Sequence, residues 1–439
     1  MKIQVEFEPE NKLVFNFDVG TNDNPAGKAA LAKTSCYFKL PEELDIEAIH
    51  PDVLALAALT VVSPWAGRKI QLSWSISKEF SDAVLASLNK SIGPVDHRLP
   101  PRNQPVPEEG RPGLAFSGGV DSFAQLLLMP DTTAMVFAYR IPREQDLYNP
   151  EAALQAVALL QSEGRLAFCI ETDMEYVRQP AGFATDLMSG APSILLADHL
   201  GLDSLGFGTI SNAAYGIGKG KFTEYTSRRV FRTWQSLLRS VGLEYFNSVS
   251  AISELGTMAI VEGSHYSSIA ESCVRGKFGE PCKKCVKCFR KQLMRAHYTG
   301  EWPNDSDMSS YAKSAGVRDE LVGLPIRQEF IYQQILNAYN GPNELLLLLK
   351  SRLEFSNSNT GFSEKAYKAG FDAATPLRYR AQAWQKLIQT VPPMSPKDEQ
   401  EFRNYDISSQ MTSLSRSEDF EMYSSTVYLI WALLKLGES

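Results

Sequence analysis

The sequence lacks the features of a membrane protein, a secreted protein or a nucleic-acid-binding protein. Its longest apolar run, residues 426–436, is far shorter than the roughly 20 residues that cross a bilayer, and we predict a packed helix there. Residues 1–6 have neither the basic nor the apolar region of a secretory signal. The formal net charge of -7 gives no general attraction to phosphate backbones. These absences predict a cytoplasmic protein with no membrane partner, for which nucleic acid is not the default partner.

Cysteine is scarce, which excludes a disulfide scaffold for a chain of this length. Only six cysteines occur in 439 residues. Cys36 and Cys169 lie in apolar strand-like stretches and are predicted to be core residues. The other four crowd into sixteen positions, at spacings of nine, three and three: Cys273, Cys282, Cys285 and Cys288.

Thiolates at these short intervals can close a tetrahedral Zn²⁺ site, and a shell of four sulfurs is structural rather than catalytic. An iron–sulfur cluster is an alternative, although the fourth cysteine that usually follows three residues after such a run is missing. A third interpretation is that the four cysteines are close in sequence by chance and bind no metal. The spacing therefore predicts a metal site at Cys273, Cys282, Cys285 and Cys288, with zinc as the leading interpretation.

Three regions of different composition follow one another along the chain. Residues 1–110 alternate apolar and polar side chains and are predicted to form a β-rich domain. A proline-rich segment, residues 99–113, holds five prolines and two glycines and marks the boundary. Residues 111–300 alternate short apolar strands with helical stretches, which is typical of an α/β fold with a doubly wound parallel sheet. Residues 301–439 have helical periods and are predicted to form a helical domain.

A glycine turn follows the predicted strand 114–116 and reads Ser117-Gly118-Gly119-Val120-Asp121-Ser122. In an open α/β sheet such a turn presents backbone N–H groups at the positive end of a helix, where phosphate binds. The glycines let phosphate oxygens approach, and the serine hydroxyls add donors. Asp121 is suited to hold Mg²⁺ against a pyrophosphate group. A lysine of the Walker type is absent, and the alternative is a turn that only starts a buried helix.

We therefore predict catalytic roles for Ser117, Asp121 and Ser122. Gly208 and Thr209 end another predicted strand, and Lys219 and Lys221 belong to a basic stretch that could bind phosphates. An ordinary strand-end turn and a solvated helix face explain these four residues equally well. The full set predicted to bind nucleotide is Phe116, Ser117, Gly118, Gly119, Val120, Asp121, Ser122, Gly208, Thr209, Lys219 and Lys221.

The loop at residues 117–122 resembles the motif of the PP-loop ATP pyrophosphatases, which cleave ATP between the α- and β-phosphates and adenylate a substrate. With the four cysteines and the basic run 289–295, residues 113–300 resemble the 7-cyano-7-deazaguanine synthase (QueC-like) family. The resemblance implies a PP-loop, HUP-like fold that uses ATP, Mg²⁺ and structural Zn²⁺. It also implies that 7-carboxy-7-deazaguanine is activated as an acyl-AMP, which an amine converts to an amide and a second adenylation converts to a nitrile.

Three segments, residues 188–192, 212–221 and 247–262, differ from the corresponding segments of that family. Together with the added flanking domains, they make the chain resemble the larger relatives of anti-phage operons, such as the QueC-like component of Qat systems. There we expect an operon partner protein to supply the acceptor amine. Two alternatives are a tRNA-modifying PP-loop enzyme, which would need a basic RNA-binding face, and a nucleotide-binding scaffold without catalysis.

Overall fold

In the described residues of the N-terminal part, the chain forms six strands and two α-helices. A computed structural model describes residues 1–26, 29–103, 105, 109–270, 273–323, 326–354, 359–408 and 418–436. In this part the elements are β1 (Lys2–Glu8), β2 (Lys12–Asp18), β3 (Ala30–Leu31), β4 (Ser35–Lys39), α1 (Pro51–Val62), β5 (Lys69–Ile76), α2 (Lys78–Leu88) and β6 (Ser91–Val95). Pro51 opens α1, since a first helical residue needs no N–H partner.

The central part alternates strands and helices, as predicted. Its elements are β7 (Arg111–Phe116), α3 (Val120–Leu128), β8 (Ala134–Tyr139), α4 (Glu151–Ser162), β9 (Ala167–Thr172), β10 (Arg178–Gln179), α5 (Ala191–Leu195), β11 (Leu202–Gly206), α6 (Ser211–Ala214), α7 (Arg229–Arg239), β12 (Glu244–Phe246) and α8 (Glu254–Glu262). Helix α5 ends at Leu195 and gives way to a turn.

The C-terminal part is helical among its described residues. The helices are α9 (Val286–Thr299), α10 (Asp305–Ala312), α11 (Ala315–Leu321), α12 (Glu329–Asn337), α13 (Glu344–Glu354), α14 (Lys368–Ala374), α15 (Leu377–Ile388), α16 (Pro396–Asn404) and α17 (Glu418–Leu436). Within α17, Tyr423 and Val427 are buried, so one face of this helix packs as predicted, whereas Tyr428 and Leu429 are exposed. No helix in the described ranges combines the length and the apolarity that crossing a membrane requires.

Ten strands form one sheet in the order β12-β11-β7-β8-β9-β4-β2-β1-β5-β6. The five strands from β12 to β9 are all parallel. From β7 the chain moves to β8 and β9 on one side, and it then returns to β11 and β12 on the other. The strand order therefore reverses between β7 and β11, which is where open α/β sheets bind their ligands. The prediction of an α/β protein around a large, mostly parallel sheet is confirmed.

Strand β4 pairs antiparallel with β9, so the N-terminal strands extend the same sheet. The three predicted domains, 1–110, 111–300 and 301–439, stay predictions. Alternate residues of β8 enter two different core clusters, because successive side chains of a strand point to opposite faces. Helices α3, α4 and α8 pack in one cluster, and α1, α5 and α7 pack in the other. Helices therefore cover both faces of the sheet around β8, whereas β5 alternates exposed and buried residues, so one of its faces is open to solvent.

The two cysteines outside the cluster have different environments. Cys36 is buried in the core, as predicted. Cys169 is exposed, so the prediction of a core residue was wrong for it. Ala167 lies on the same face of β9 and is buried, but the helical layer that covers Ala167 does not extend over Cys169.

Arg102 fastens the proline-rich segment to the sheet. Its Nε donates to Asp198 Oδ1 at 2.6 Å, and its terminal nitrogens donate to the carbonyls of Val241, Ala197 and Leu202 at 2.8, 3.1 and 3.1 Å. Only 4% of the side chain is exposed. Buried carbonyl groups need hydrogen-bond donors, and this one side chain supplies them to three backbone carbonyls.

We expect Arg102→Ala to lower the free energy of unfolding by about 2–4 kcal/mol, because it leaves buried carbonyls and Asp198 without their donor. Arg98→Ala is the matched control, since the Arg98 side chain is 93% exposed, and it should change stability by less than about 0.5 kcal/mol. Urea unfolding followed by circular dichroism measures both. Equal midpoints for the two variants would show that Arg102 is not an anchor.

Candidate functional site

A cavity of about 570 Å³ opens at the carboxyl ends of the parallel strands, beside the point where the strand order reverses. Segments that follow four different strands line it, together with part of the cysteine region. The residues that line it include Phe116, Ser117, Gly119, Asp121 and Ser122 after β7; Arg140, Tyr148 and Asn149 after β8; Glu175, Asp186 and Ser189 after β9; Phe207, Gly208 and Thr209 from the end of β11; and Cys273, Val274 and Lys287.

The glycine loop joins β7 to the N-terminus of α3. Gly118 has a φ of +72°, and a Cβ at this position would lie 3.1 Å from Ala153 Cα of α4, so both conformation and space require glycine. Ser122 Oγ donates to the Gly119 carbonyl at 2.9 Å, and Ser117 Oγ donates to Ser122 Oγ at 3.1 Å. Gly119, the N-cap of α3, has no side chain that could bond the helix N–H groups. The loop is braced by its own serines, and it places the N-terminus of α3 at the cavity.

The end of β11 lies against this loop. A Cβ on Gly208 would lie 3.2 Å from Asp121 C and Ser122 N, so glycine permits the close approach. Gly118 and Val120 do not line the cavity but belong to the same loop and first turn. The structure thus brings the predicted residues from 116 to 122 together with Gly208 and Thr209.

Lys219 and Lys221 lie elsewhere. Neither side chain lines this cavity among the described residues. Both belong to the segment between α6 and α7, where Lys221 forms a β-bridge with Asp406, beyond the end of α16. The nucleotide-binding role of these two lysines stays a prediction.

Asp121, in the first turn of α3, is held by two other helices. Its Oδ1 accepts a hydrogen bond from Thr257 Oγ1 of α8 at 2.7 Å and lies 3.4 Å from Lys291 Nζ of α9. The carboxylate remains 29% exposed, so it is oriented without being enclosed. An oriented, partly exposed carboxylate in the first turn of a helix is suited to hold a divalent cation next to a phosphate chain.

A buried ion pair fixes α9 against α8. Arg290 donates to both carboxylate oxygens of Glu254, from Nε at 2.6 Å and from Nη2 at 3.2 Å, and its Nη1 lies 3.5 Å from Glu320 Oε1. Burial alone would raise the pKa of Glu254, but the charges of Arg290 and Lys291 outweigh it and lower the pKa. Glu254 and Thr257 lie one helical turn apart, so the same stretch of α8 positions both α9 and Asp121.

The four clustered cysteines stand at the start of α9. Their sulfur atoms all lie within 4.8 Å of one another, with Cys285 and Cys288 3.5 Å apart and Cys282 and Cys288 3.7 Å apart. A tetrahedral zinc ion with bonds of about 2.3 Å requires sulfur atoms roughly 3.8 Å apart, so the donor set fits one such ion. A multi-iron cluster binds its thiolates through different iron atoms and needs wider spacing. The residues could hold a metal ion such as zinc.

The crowded thiols influence one another and the helix. Hydrogen bonds from Cys285 and Cys288 lower the pKa of Cys273, and the same contacts with Cys273 raise the pKa of the other two. Cys285 is the N-cap of α9, and its Sγ accepts the Cys288 N–H at 3.4 Å. The cysteine cluster and the first turn of α9 are thus one unit.

A tight hairpin between Cys273 and Cys282 brings the first cysteine to the others. Lys277 and Glu280 exchange backbone hydrogen bonds of 3.0 and 3.1 Å, and a Cβ on Gly276 would lie 2.5 Å from the Glu280 carbonyl oxygen. The carbonyl of Val274, the residue after Cys273, accepts a hydrogen bond from the Asn149 N–H at 2.8 Å. This contact makes the cysteine region a wall of the cavity.

A buried, charged pair forms another wall. Arg140 Nη1 donates to Glu175 Oε2 at 2.8 Å, and the guanidinium lies 4.2 Å from the ring centroid of Tyr148. Burial raises the pKa of Glu175, and the Arg140 charge offsets only part of this. We did not predict these residues as part of the site. Their places just after β8 and β9 are a signal in the sequence that marks them.

Comparison with known families gives one match, which covers less than half of the chain. Residues 233–406 match the model of a family of unknown function, DUF6395. The matched part runs from α7 to α16 and includes the four cysteines and α9, but it does not include the glycine loop. Comparison with curated proteins and with solved structures gives no match.

We expect the purified chain to hold about one zinc ion per molecule, and Cys282→Ser to lose most of it, because the tetrahedral shell loses one thiolate. Cys169→Ser is the matched control, since Cys169 is a free, exposed cysteine outside the cluster. Elemental analysis gives the metal content. Iron with acid-labile sulfide would contradict the zinc assignment, and full zinc content in Cys282→Ser would contradict the proposed ligands.

Proposed function

We propose that this chain is an ATP-dependent C–N ligase of the PP-loop, HUP-like type, which activates a carboxylate as an acyl-adenylate and releases AMP and pyrophosphate. One observation carries the proposal. A glycine loop that leads into the N-terminus of α3 stands where the strand order reverses, and Asp121 beside it is oriented by Thr257 and Lys291. This arrangement suits the phosphate chain of a nucleotide.

Each part of the loop has a role in this proposal. Backbone N–H groups of the first turn of α3 hydrogen-bond the phosphate oxygens, and Ser117 and Ser122 hold the loop open for them. Lys287 and Lys291 supply positive charge from α9. When bound to Asp121, Mg²⁺ would neutralise part of the phosphate charge. The site needs electrostatic stabilisation rather than a protein nucleophile.

The proposed chemistry follows from this arrangement. A substrate carboxylate oxygen attacks the α-phosphorus of ATP, the bond to the bridging oxygen breaks, and pyrophosphate leaves. An amine then attacks the activated carbonyl carbon, AMP leaves with the electron pair of the C–O bond, and the amine loses a proton. The product is an amide. The chain contributes binding, orientation and positive charge to both steps.

For the carboxylate we propose 7-carboxy-7-deazaguanine, as the resemblance implies. The cavity of about 570 Å³ falls within the usual range of about 300–1,000 Å³ for small-molecule sites. The aromatic and charged wall of Arg140, Tyr148 and Glu175 suits a planar, polar ring. We further propose that the acceptor amine belongs to a partner protein and that the reaction serves anti-phage defence. Zinc at the cysteines would be structural.

We expect ATP, Mg²⁺, 7-carboxy-7-deazaguanine and ammonia to give AMP and pyrophosphate, and Asp121→Asn to lower this rate by at least about 10²-fold through lost phosphate and cation stabilisation. Asp131→Asn is the matched control, because the Asp131 side chain is 91% exposed and lies outside the cavity. Coupled pyrophosphate detection gives the rate. Mass spectrometry separates acid, amide, nitrile and protein conjugate.

Release of ADP and phosphate would contradict cleavage between the α- and β-phosphates. If Asp121→Asn leaves the rate unchanged, the glycine loop does not take part in the reaction. Pyrophosphate release without any amide, nitrile or protein conjugate, in the presence of ammonia and of the operon partners, would contradict the C–N ligase assignment.

A further inference from the structure

A second cavity, of about 250 Å³, lies behind the glycine loop. Val120, in the first turn of α3, forms part of its wall. It shares two wall residues, Cys273 and Lys287, with the larger cavity, so these residues separate the two spaces. At the ~30 Å³ that each water occupies in the liquid, the second cavity has room for roughly eight waters. It is a small chamber with both polar and apolar walls, beside the phosphate end of the proposed nucleotide site.

Four basic side chains line the second cavity. Lys287, Lys291 and Arg295 lie at intervals of four along α9 and therefore share one face of that helix, and Lys283 precedes them. Glu301 is the only carboxylate among the lining residues that the structure describes. Among the lysine, arginine, aspartate and glutamate side chains of the described lining, four are cationic and one is anionic.

The basic groups keep hydrogen-bond donors for an additional anion. Arg295 uses Nε for Glu262 and Nη2 for the Ser267 carbonyl, at 2.7 and 3.0 Å, although a guanidinium has five N–H donors. Lys283 contacts Asp307 at 2.9 Å with one of its three donors. The contact of Lys291 with Asp121, at 3.4 Å, is longer than a usual hydrogen bond.

We propose that this second cavity binds inorganic pyrophosphate after it separates from the α-phosphorus of ATP. The inference rests on the proposed function, which supplies this anion. The leaving group carries several negative charges and must move away while the acyl-adenylate stays in the larger cavity until the amine arrives. Lys287 borders both spaces, whereas Lys283 and Arg295 line the second cavity and not the larger one. The row of cations gives the leaving anion a path that the adenylate does not share.

The test is a calorimetric titration of inorganic pyrophosphate into the full-length, metal-loaded protein whose glycine loop is filled with α,β-methylene-ATP. We expect pyrophosphate to bind alongside the analogue. Arg295→Gln and Lys283→Gln should each weaken this binding about tenfold, since each removes charge-assisted hydrogen bonds. Neither residue lines the nucleotide cavity, so the affinity for the analogue should stay within about twofold.

Lys284→Gln is the matched control, because Lys284 is exposed and lines neither cavity. It should bind pyrophosphate like the wild type. Pyrophosphate that no longer binds once the analogue is present would overturn the proposal, as would wild-type affinity in both Arg295→Gln and Lys283→Gln. Failure of the proposed function has a different signature, namely no cleavage of ATP to AMP, and the direct titration of pyrophosphate decides this inference in either case.

Discussion

The position of helix α9 is the constraint on which the phosphate end of the site depends. The cysteine cluster fixes its start, where Cys285 is the N-cap. A turn later, the buried Arg290–Glu254 pair fixes it against α8. Because breaking such a pair by removing one partner costs about 3–5 kcal/mol, the helix has little freedom to shift. The position of α9 therefore places Lys291 Nζ 3.4 Å from Asp121 Oδ1, and a short hydrogen bond between the two side chains is not needed to keep it there.

The sheet determines where this helix can act. Parallel strands place their carboxyl ends at one edge, and the reversal of strand order between β7 and β11 leaves a crevice there. The glycine loop and Gly208 approach each other across this crevice, and α8 and α9 close it from one side. The cavity is thus built from segments far apart in sequence but held by a single sheet. The cysteine region adds the last wall through Val274.

The features that the sequence predicted are those set by local patterns. The strand-helix alternation follows from periodicity, and the loop from 117 to 122 and the cysteine spacing are short motifs. Thr257 and Lys291 lie 136 and 170 residues from Asp121, and only tertiary packing brings them to it. The pairing of β4 with β9 is long-range for the same reason. The burial of Cys169 was predicted wrongly from a local pattern. Its apolar neighbours in the strand do not indicate where the helices that pack on the sheet end.

The central claim is that a substrate carboxylate attacks the α-phosphorus of ATP held at the glycine loop. Its most direct test uses 7-carboxy-7-deazaguanine whose carboxylate carries a heavy oxygen isotope, with mass spectrometry of the AMP after single-turnover reaction with an amine. We expect the label to appear in the phosphate of AMP, because the attacking oxygen stays on phosphorus when the amine displaces it. AMP that carries no label would contradict adenylation of the carboxylate.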